Sequence, residues 1–310
     1  MKNAYIYLEV TDSTNNELKR RLSEGVVPEE YTVISAGTQT AGRGRSGHEW
    51  VSPAGVSIST SMICYPLEHL EEEDEKGTAD FRETQASEEA ASEPEGAAEQ
   101  DDAALYEGLL PGLTIVAAVA VVRAIEGECH LPAQIKWPND ILIEKRKVCG
   151  ILTERIESAV IVGIGLNVRR GSYPTSLLGR ATCLEEEIVI MNSRFRKADL
   201  WSLEESEEKT GAEPAVPSNA VLTERIWNGF RILYQQFLRE RSLSFLLKEY
   251  NERLLNRDQR VRILDPAGQY EADALGMDEA GRLVVVLPET REKRRIDSGE
   301  VQVRGVDGYV

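Results

Sequence analysis

The sequence is short of the residues that build metal centres and disulfide frameworks. Its 310 residues include three histidines and four cysteines. Cys64, Cys129, Cys149 and Cys183 never form C-x-x-C, and no zinc-ligand spacing joins them to a histidine. Scattered thiols in a chain of this length predict reduced cysteines and a cytoplasmic protein. A charged N-terminal stretch leading into an apolar run is missing, so no signal peptide is expected. Long hydrophobic runs are missing too. The longest, Leu113 to Val122, ends at Arg123, falls short of a bilayer span and reads as a buried helix, so no membrane partner is expected. Nor is there a basic excess. A formal charge of −17 argues against non-specific nucleic-acid binding by the whole surface.

That negative charge is unevenly placed. Residues 66–107 hold 16 acidic side chains against Lys76 and Arg82, a local charge of −14, which leaves the rest of the chain near neutral. This stretch is rich in Glu, Ala, Ser and Gly, has little to bury, and reads as a disordered or loosely helical insertion. Before it, Tyr5 to Val10 reads as a strand. Thr14-Asn15-Asn16-Glu17 fits a capping box opening a helix that stops at Gly25. Tyr31 to Ala36 and Val56 to Met62 read as strands.

After the insertion, order is expected to resume at Pro111 with an apolar helix over Leu113 to Ile125. Ile135 to Trp137, Ile141 to Ile143, Val148 to Glu154 and the glycine-punctuated Ala159 to Val168 read as strands, with Glu144 to Lys147 as a polar hairpin turn. A polar loop at about 204–218 precedes two helices near 220–240 and 243–256. From Asp258 onward, short β runs alternate with Asp-Pro-Ala-Gly and Asp-Glu-Ala-Gly turns, the pattern of a small barrel or sandwich. The chain therefore divides into residues 1–257 and 258–310.

What is present in concentrated form is Gly42-Arg43-Gly44-Arg45-Ser46-Gly47, followed by Trp50. Arg forks match phosphate and carboxylate oxygens, and glycine lets the backbone approach a ligand closely. The loop reads as an anion holder or as an exposed basic turn. A dinucleotide fingerprint is excluded by context, because a strand and not a helix follows. Asp12-Ser13-Thr14-Asn15 offers a helix start to a small polar ligand, or is an ordinary cap. Lys136-Trp137-Pro138-Asn139-Asp140 sets a lysine and a carboxylate beside a rigid turn. Val148-Cys149-Gly150-Ile151-Leu152-Thr153-Glu154 and Gly163-Ile164-Gly165-Leu166-Asn167-Val168 read as strands of the core or of a site.

In this order the motifs resemble the biotin protein ligases. The matching elements are Ser13-Thr14-Asn15, Gln39 to Arg45, Lys136 to Asp140, the Gly150 strand, Gly165-Leu166-Asn167 and the closing Ser298-Gly299-Glu300-Val301. The resemblance implies an α+β fold: a central mixed β-sheet flanked by helices, of the class II synthetase type, with a C-terminal SH3-like barrel. It implies activation of biotin by MgATP as biotinyl-5′-AMP, then transfer to a lysine of a biotin carboxyl carrier protein. It places Ser13, Thr14, Asn15 and Gln39 at the biotin head group. Arg43, Gly44 and Arg45 fall at the carboxylate and phosphate, and Lys136 becomes the central catalytic lysine. Trp50 becomes the loop-closing aromatic and Asn167 an adenine contact. Asn139 and Asp140 orient the turn or manage metal and phosphate. Only 12 residues precede Ser13, which leaves no room for the DNA-binding domain that some members carry, so no DNA partner is expected. A homodimer through the central sheet is common in the family. The alternative is a lipoate or octanoate ligase or transferase of related fold.

Overall fold

Alternation with period two decides which way each strand faces. In β7 (Ala159–Asn167) the even residues Val160, Val162, Ile164 and Leu166 are buried and apolar, while the odd ones are Ile161, Gly163, Gly165 and Asn167. Its antiparallel partner β3 (Ser57–Cys64) repeats the scheme, with Ile58, Met62 and Cys64 on one face and Ser57, Ser59, Ser61 and Ile63 on the other. The even face is therefore built for helices and the odd face is largely stripped of side-chain volume.

The computed structural model describes residues 4–69, 96–199, 216–266, 268–299 and 301–306. Five further strands complete a seven-stranded sheet: β1 (Tyr5–Thr11), β2 (Val33–Gln39), β4 (Gln134–Lys136), β5 (Asp140–Ile143) and β6 (Arg146–Ile156). The order is β1-β2-β3-β7-β6-β5-β4, with β1 and β2 parallel and the rest antiparallel. Helices α2 (Gly96–Cys129) and α4 (Asn219–Glu240) cover the even face and share one core with it. On the odd face, α1 (Thr14–Ser23) covers one end only. Leu18 packs there on Ile34, Ile63 and Ile161 in a separate small cluster. The rest of the odd face stays open.

Helices α3 (Leu184–Asp199) and α5 (Ser244–Arg253) complete the larger unit. The C-terminal strands β8 (Arg260–Asp265), β9 (Gly268–Met277), β10 (Leu283–Val286), β11 (Lys293–Ile296) and β12 (Gln302–Gly305) form an antiparallel sheet in the order β11-β10-β9-β8-β12. Val261, Ile263, Ala272, Ala274, Leu283 and Val285 join the main core. The mixed sheet with flanking helices and the small C-terminal β unit are the expected architecture.

Several local expectations need correction. Helix α2 starts at Gly96, inside the acidic stretch, and Pro111 lies within it instead of opening it. Residues 70–95 of that stretch, and 204–215 of the polar loop, lie outside the described residues. By length and composition Leu110–Cys129 would pass for a membrane span. Its side chains from Leu113 to Val122 are instead buried in the protein core, and Arg123 pairs with Glu249 at 2.6 Å on the surface. Glu144 and Lys145 alone take up the β5–β6 turn, with φ of 50° and 63°, so Arg146 and Lys147 belong to β6. The capping box at Thr14 does not form. Ser13 is the N-cap, and Glu17 pairs with Arg20 and Arg21 instead.

Candidate active site

Sheet register brings the motifs into rows. Lys136 is paired with Asp140, Asp140 with Gly150, Gly150 with Gly165, and Gly165 with Ser59. This row crosses five strands on the odd face. The next row runs Leu152, Gly163, Ser61. A cavity of about 480 Å³ lies over these rows. Ser13, Thr14, Asn15, Gln39, Arg43, Gly44, Arg45, Trp50, Lys136, Asn139, Asp140 and Asn167 all line it, so every site residue expected from the sequence meets at one place.

The polar end lies at the start of α1. Gln39, at the end of β2, accepts the Thr14 backbone N–H at 2.8 Å on its side-chain oxygen. A side chain from another strand thus satisfies one of the helix's free donors. That N–H is not available to a ligand, contrary to the expectation for this helix start. Thr14 Oγ1 meets Ser61 Oγ at 2.6 Å, and Ser61 donates to Asn15 Oδ1 at 2.6 Å. A Cβ on Gly163 would overlap Asn15 Oδ1, so glycine there makes room for the amide.

The glycine–arginine segment turns back on itself. Trp50 donates its N–H to Gly42 O at 2.9 Å, and Gly44 donates to His48 O at 2.7 Å. Arg45 to Gly47 form one 3₁₀ turn at the tip, where Gly47 takes φ of +75°. The returning Trp50 lays its indole on the Gly150–Gly165 pair, where a Cβ on Gly165 would overlap the ring. The indole Nε1 is buried and has no hydrogen-bond partner among the described residues. The two arginines differ. Arg43 is exposed, while the Arg45 guanidinium is turned inward and donates to the carbonyls of Ser298 and Gly299 in the C-terminal unit. Burial pulls the Arg45 pKa down, and the Asp140 carboxylate opposes that shift. Glu300, between this contact and β12, lies outside the described residues.

Lys136 is 5 % exposed at the end of β4. Burial pulls its pKa down to about 8, against the pull of Asp140 and with help from Lys147 and Arg304. Asp140 also holds Lys147 Nζ at 2.6 Å, and that ammonium stands 5.8 Å from the centre of the Trp50 ring. Asn139 donates to Ile151 O at 2.9 Å and accepts from Ile151 N–H at 3.0 Å on its own carbonyl, so it fixes the turn. Trp137 is a packing residue. Its backbone N–H donates to Asn256 at 2.8 Å and its indole donates to Gly281 O at 2.9 Å. Asn167 Nδ2 donates to Thr182 O at 3.0 Å.

Three cations in the lining were not singled out by sequence reasoning: Lys147, Arg180 and Arg304. Lys147 was hidden in an apparent turn, and the other two sit in no motif. With them the lining holds six Lys or Arg side chains against Glu49 and Asp140, in a chain whose formal charge is −17. Such a cavity selects a ligand with several negative charges.

Comparison with known proteins agrees with this geometry. Residues 7–73 and 100–169 match the biotin/lipoate A/B protein ligase family, and residues 258–304 match the biotin protein ligase C terminal domain. The chain is 35 % identical over 189 residues to the bifunctional ligase/repressor BirA of Bacillus spizizenii, covering 58 % of this chain and 46 % of that protein. It is 34 % identical over 167 residues to the biotin–[acetyl-CoA-carboxylase] ligase of Paracoccus denitrificans, covering 51 % and 52 %. The matches thus span about half the length of these curated relatives. The biotin protein ligase from Aquifex aeolicus in complex with biotin and ATP shares the fold, with a TM-score of 0.69, 23 % identity, and coverage of 98 % of this chain and 100 % of that one. Two successive family domains and one cavity holding their shared motifs lead to one conclusion: the chain belongs to the biotin protein ligase family.

Proposed function

We propose that the protein activates biotin with MgATP, forming biotinyl-5′-AMP and pyrophosphate. It then transfers biotin to a lysine of a biotin carboxyl carrier protein, with release of AMP. The observation that carries this reading is Lys136, buried in the lining of a cavity that also holds the polar Ser13, Thr14, Asn15 and Gln39 and five further Lys and Arg side chains. In the first step the biotin carboxylate attacks the α-phosphorus, so two anions must meet. Lys136 stands between them and stabilises the charge that builds on the phosphoryl oxygens. Arg43, Gly44 and Arg45 serve the carboxylate and phosphate, Trp50 closes over the adenylate, and Asn167 meets the adenine. Ser13, Thr14, Asn15 and Gln39 hold the ureido head group. In the second step the carrier lysine attacks the acyl carbon and AMP leaves, again beside Lys136.

ATP enters as its magnesium complex, a substrate. The described residues gather no group of three or more His, Cys, Asp or Glu side chains for a metal. The ion is therefore expected to ride on the phosphates. The polar end favours biotin over lipoate or octanoate. A dithiolane or alkyl chain offers no N–H or C=O, and would leave the remaining hydrogen-bonding capacity of Thr14 and of the Gln39 amide unmet on burial. Residues 1–257 form the catalytic unit in this reading, and 258–310 the small β unit, a division supported by the match beginning at 258. A cytoplasmic location fits the four unpaired, buried cysteines. A homodimer through the central sheet fits the open edge at β1, where Tyr5 and Tyr7 are each 56 % exposed. Biotin-dependent ATP–pyrophosphate exchange, run beside lipoate and octanoate, tests the activity. Exchange with lipoate but not biotin would overturn it.

A further inference from the structure

One carboxylate that the proposed chemistry does not use stands behind the polar end of the cavity, in contact with Asn15. Glu154 lies on β6 beyond the cavity lining. One oxygen accepts Asn15 Nδ2 at 2.7 Å, and the other accepts Lys19 Nζ from α1 at 2.6 Å. An ionised carboxylate accepts hydrogen bonds and cannot donate them. The NH₂ of the Asn15 amide must therefore face Glu154, and its oxygen must face Ser61. Ser61 then spends its single proton on Asn15, at 2.6 Å. The contact of 2.6 Å between Ser61 and Thr14 must in turn be donated by Thr14.

The consequence reaches the ligand. Thr14 has one proton, now committed to Ser61, and its remaining lone pairs become acceptors. Its other neighbour, the Gln39 oxygen, is 3.2 Å away and already holds the Thr14 backbone N–H. The Gln39 amide nitrogen lies on the opposite side of that group, beside Gly42. The cavity wall thus presents an acceptor at Thr14 and a donor at Gln39. A group with adjacent N–H and C=O, such as a urea, matches that order.

We infer that Glu154, with Lys19 as its counter-ion, is a positioning residue that fixes the donor–acceptor order of the head-group end of the cavity. The inference rests on the biotin reading above. A neutral amide at 154 offers both a donor and an acceptor, so only the longer contact of Asn15 Nδ2 with the Leu152 carbonyl, 3.4 Å, then favours one direction of the chain Asn15–Ser61–Thr14. In the reversed direction Ser61 donates to Thr14, whose proton is then free for Gln39 Oε1 at 3.2 Å, and the acceptor offered to the ligand at Thr14 is spent.

Steady-state exchange kinetics on the full chain test this with Glu154→Gln, Glu154→Leu and Lys19→Met, alongside calorimetric titration with biotin alone. Glu154→Leu should raise the biotin KM and Kd by about tenfold or more, the scale of losing a hydrogen bond to a charged group. Glu154→Gln should raise both several-fold, and Lys19→Met less, because the acceptor at 154 survives. The ATP KM should move less than about twofold in each, since the affected groups lie at the head-group end. Equal rises in both KM values, or a loss confined to kcat, would reduce Glu154 to a structural residue. If Glu154→Leu does not fold, the near-isosteric Glu154→Gln decides, and an unchanged biotin Kd there overturns the inference. Wild-type protein that neither binds biotin nor exchanges pyrophosphate would instead overturn the biotin reading itself.

Discussion

Gly165 faces Gly150 across the β6–β7 ladder, and the indole of Trp50 rests on the two of them. Any side chain at 165 enters the volume of that ring. Gly165→Ala should therefore displace Trp50 and weaken biotin-dependent exchange by about tenfold, the range expected from 1–3 kcal/mol of overpacking. The melting temperature should fall by only a few degrees, because position 165 faces the cavity and the Trp50 loop can yield. Trp50→Phe supplies the control for the tryptophan emission change. Unaltered emission and kinetics in Gly165→Ala would show that the ring does not use this floor.

Lys136 acts as a cation. Its pKa is drawn down from 10.5 to about 8, so it is charged below that pH and loses its charge as pH rises through it. The kcat/KM for biotin should consequently fall above pH about 8, since that ratio reports the free enzyme. The fall in kcat should lie at higher pH, because bound anions favour the charged lysine. Lys136→Ala should slow pyrophosphate exchange by about 10² or more at neutral pH. Near wild-type exchange in this variant would remove Lys136 from the mechanism.

Arg45 ties the loop tip to Ser298 and Gly299, more than 250 residues away in sequence. Arg45→Gln should raise the rate of trypsin cleavage after Arg43 by about tenfold in the absence of ligand, as expected for losing charge-assisted hydrogen bonds worth about 1.5–3 kcal/mol. Saturating biotin should slow cleavage of the wild-type loop. Equal cleavage of Arg45→Gln and wild type would mean that the contact does not hold the loop.

Residues 70–95 contain 11 acidic side chains and two basic ones. Replacing them with a short Gly/Ser linker should leave biotin adenylation and the melting temperature near wild type. The cut stops short of 96, where α2 begins, and spares His69, which pairs with Glu30 at 2.5 Å. If the charge repels an acidic carrier, carrier biotinylation should speed up below about 0.1 M salt, where screening is weak. A carrier rate unchanged at every salt concentration would remove that role.

Much of the site was legible because its chemistry demands unusual residues close together in sequence. Gly42 to Arg45 and Lys136 to Asp140 each concentrate charge beside backbone constraints, and both reach the cavity. Lys147, Arg180 and Arg304 were not legible, because Lys147 ends a basic run that reads as a solvated turn and the other two are single cations in no motif. Strand β6 places Lys147, the segment whose Arg180 carbonyl accepts the Lys147 N–H at 2.8 Å places Arg180, and the C-terminal unit supplies Arg304. Helix α3 was passed over although Glu185, Glu186 and Glu187 crowd its first turn, a recognisable start signal. Strand β11 was passed over because Lys293, Arg294 and Arg295 disguise a strand that buries only Ile296. The start of α2 was misjudged because acidic composition was weighed above helix propensity, and Ala and Glu both favour helix.

The two faces of β3 and β7 divide the protein's obligations between alternate residues. Helices α2 and α4 grip Ile58, Met62, Val162 and Ile164. The cavity side is served by Ser59, Ser61, Gly163 and Gly165, which the main core does not include. Selection for ligand shape and selection for stability therefore act on neighbouring residues with little conflict. A lineage can recut the outline of its ligand one odd position at a time while the even positions keep the protein folded.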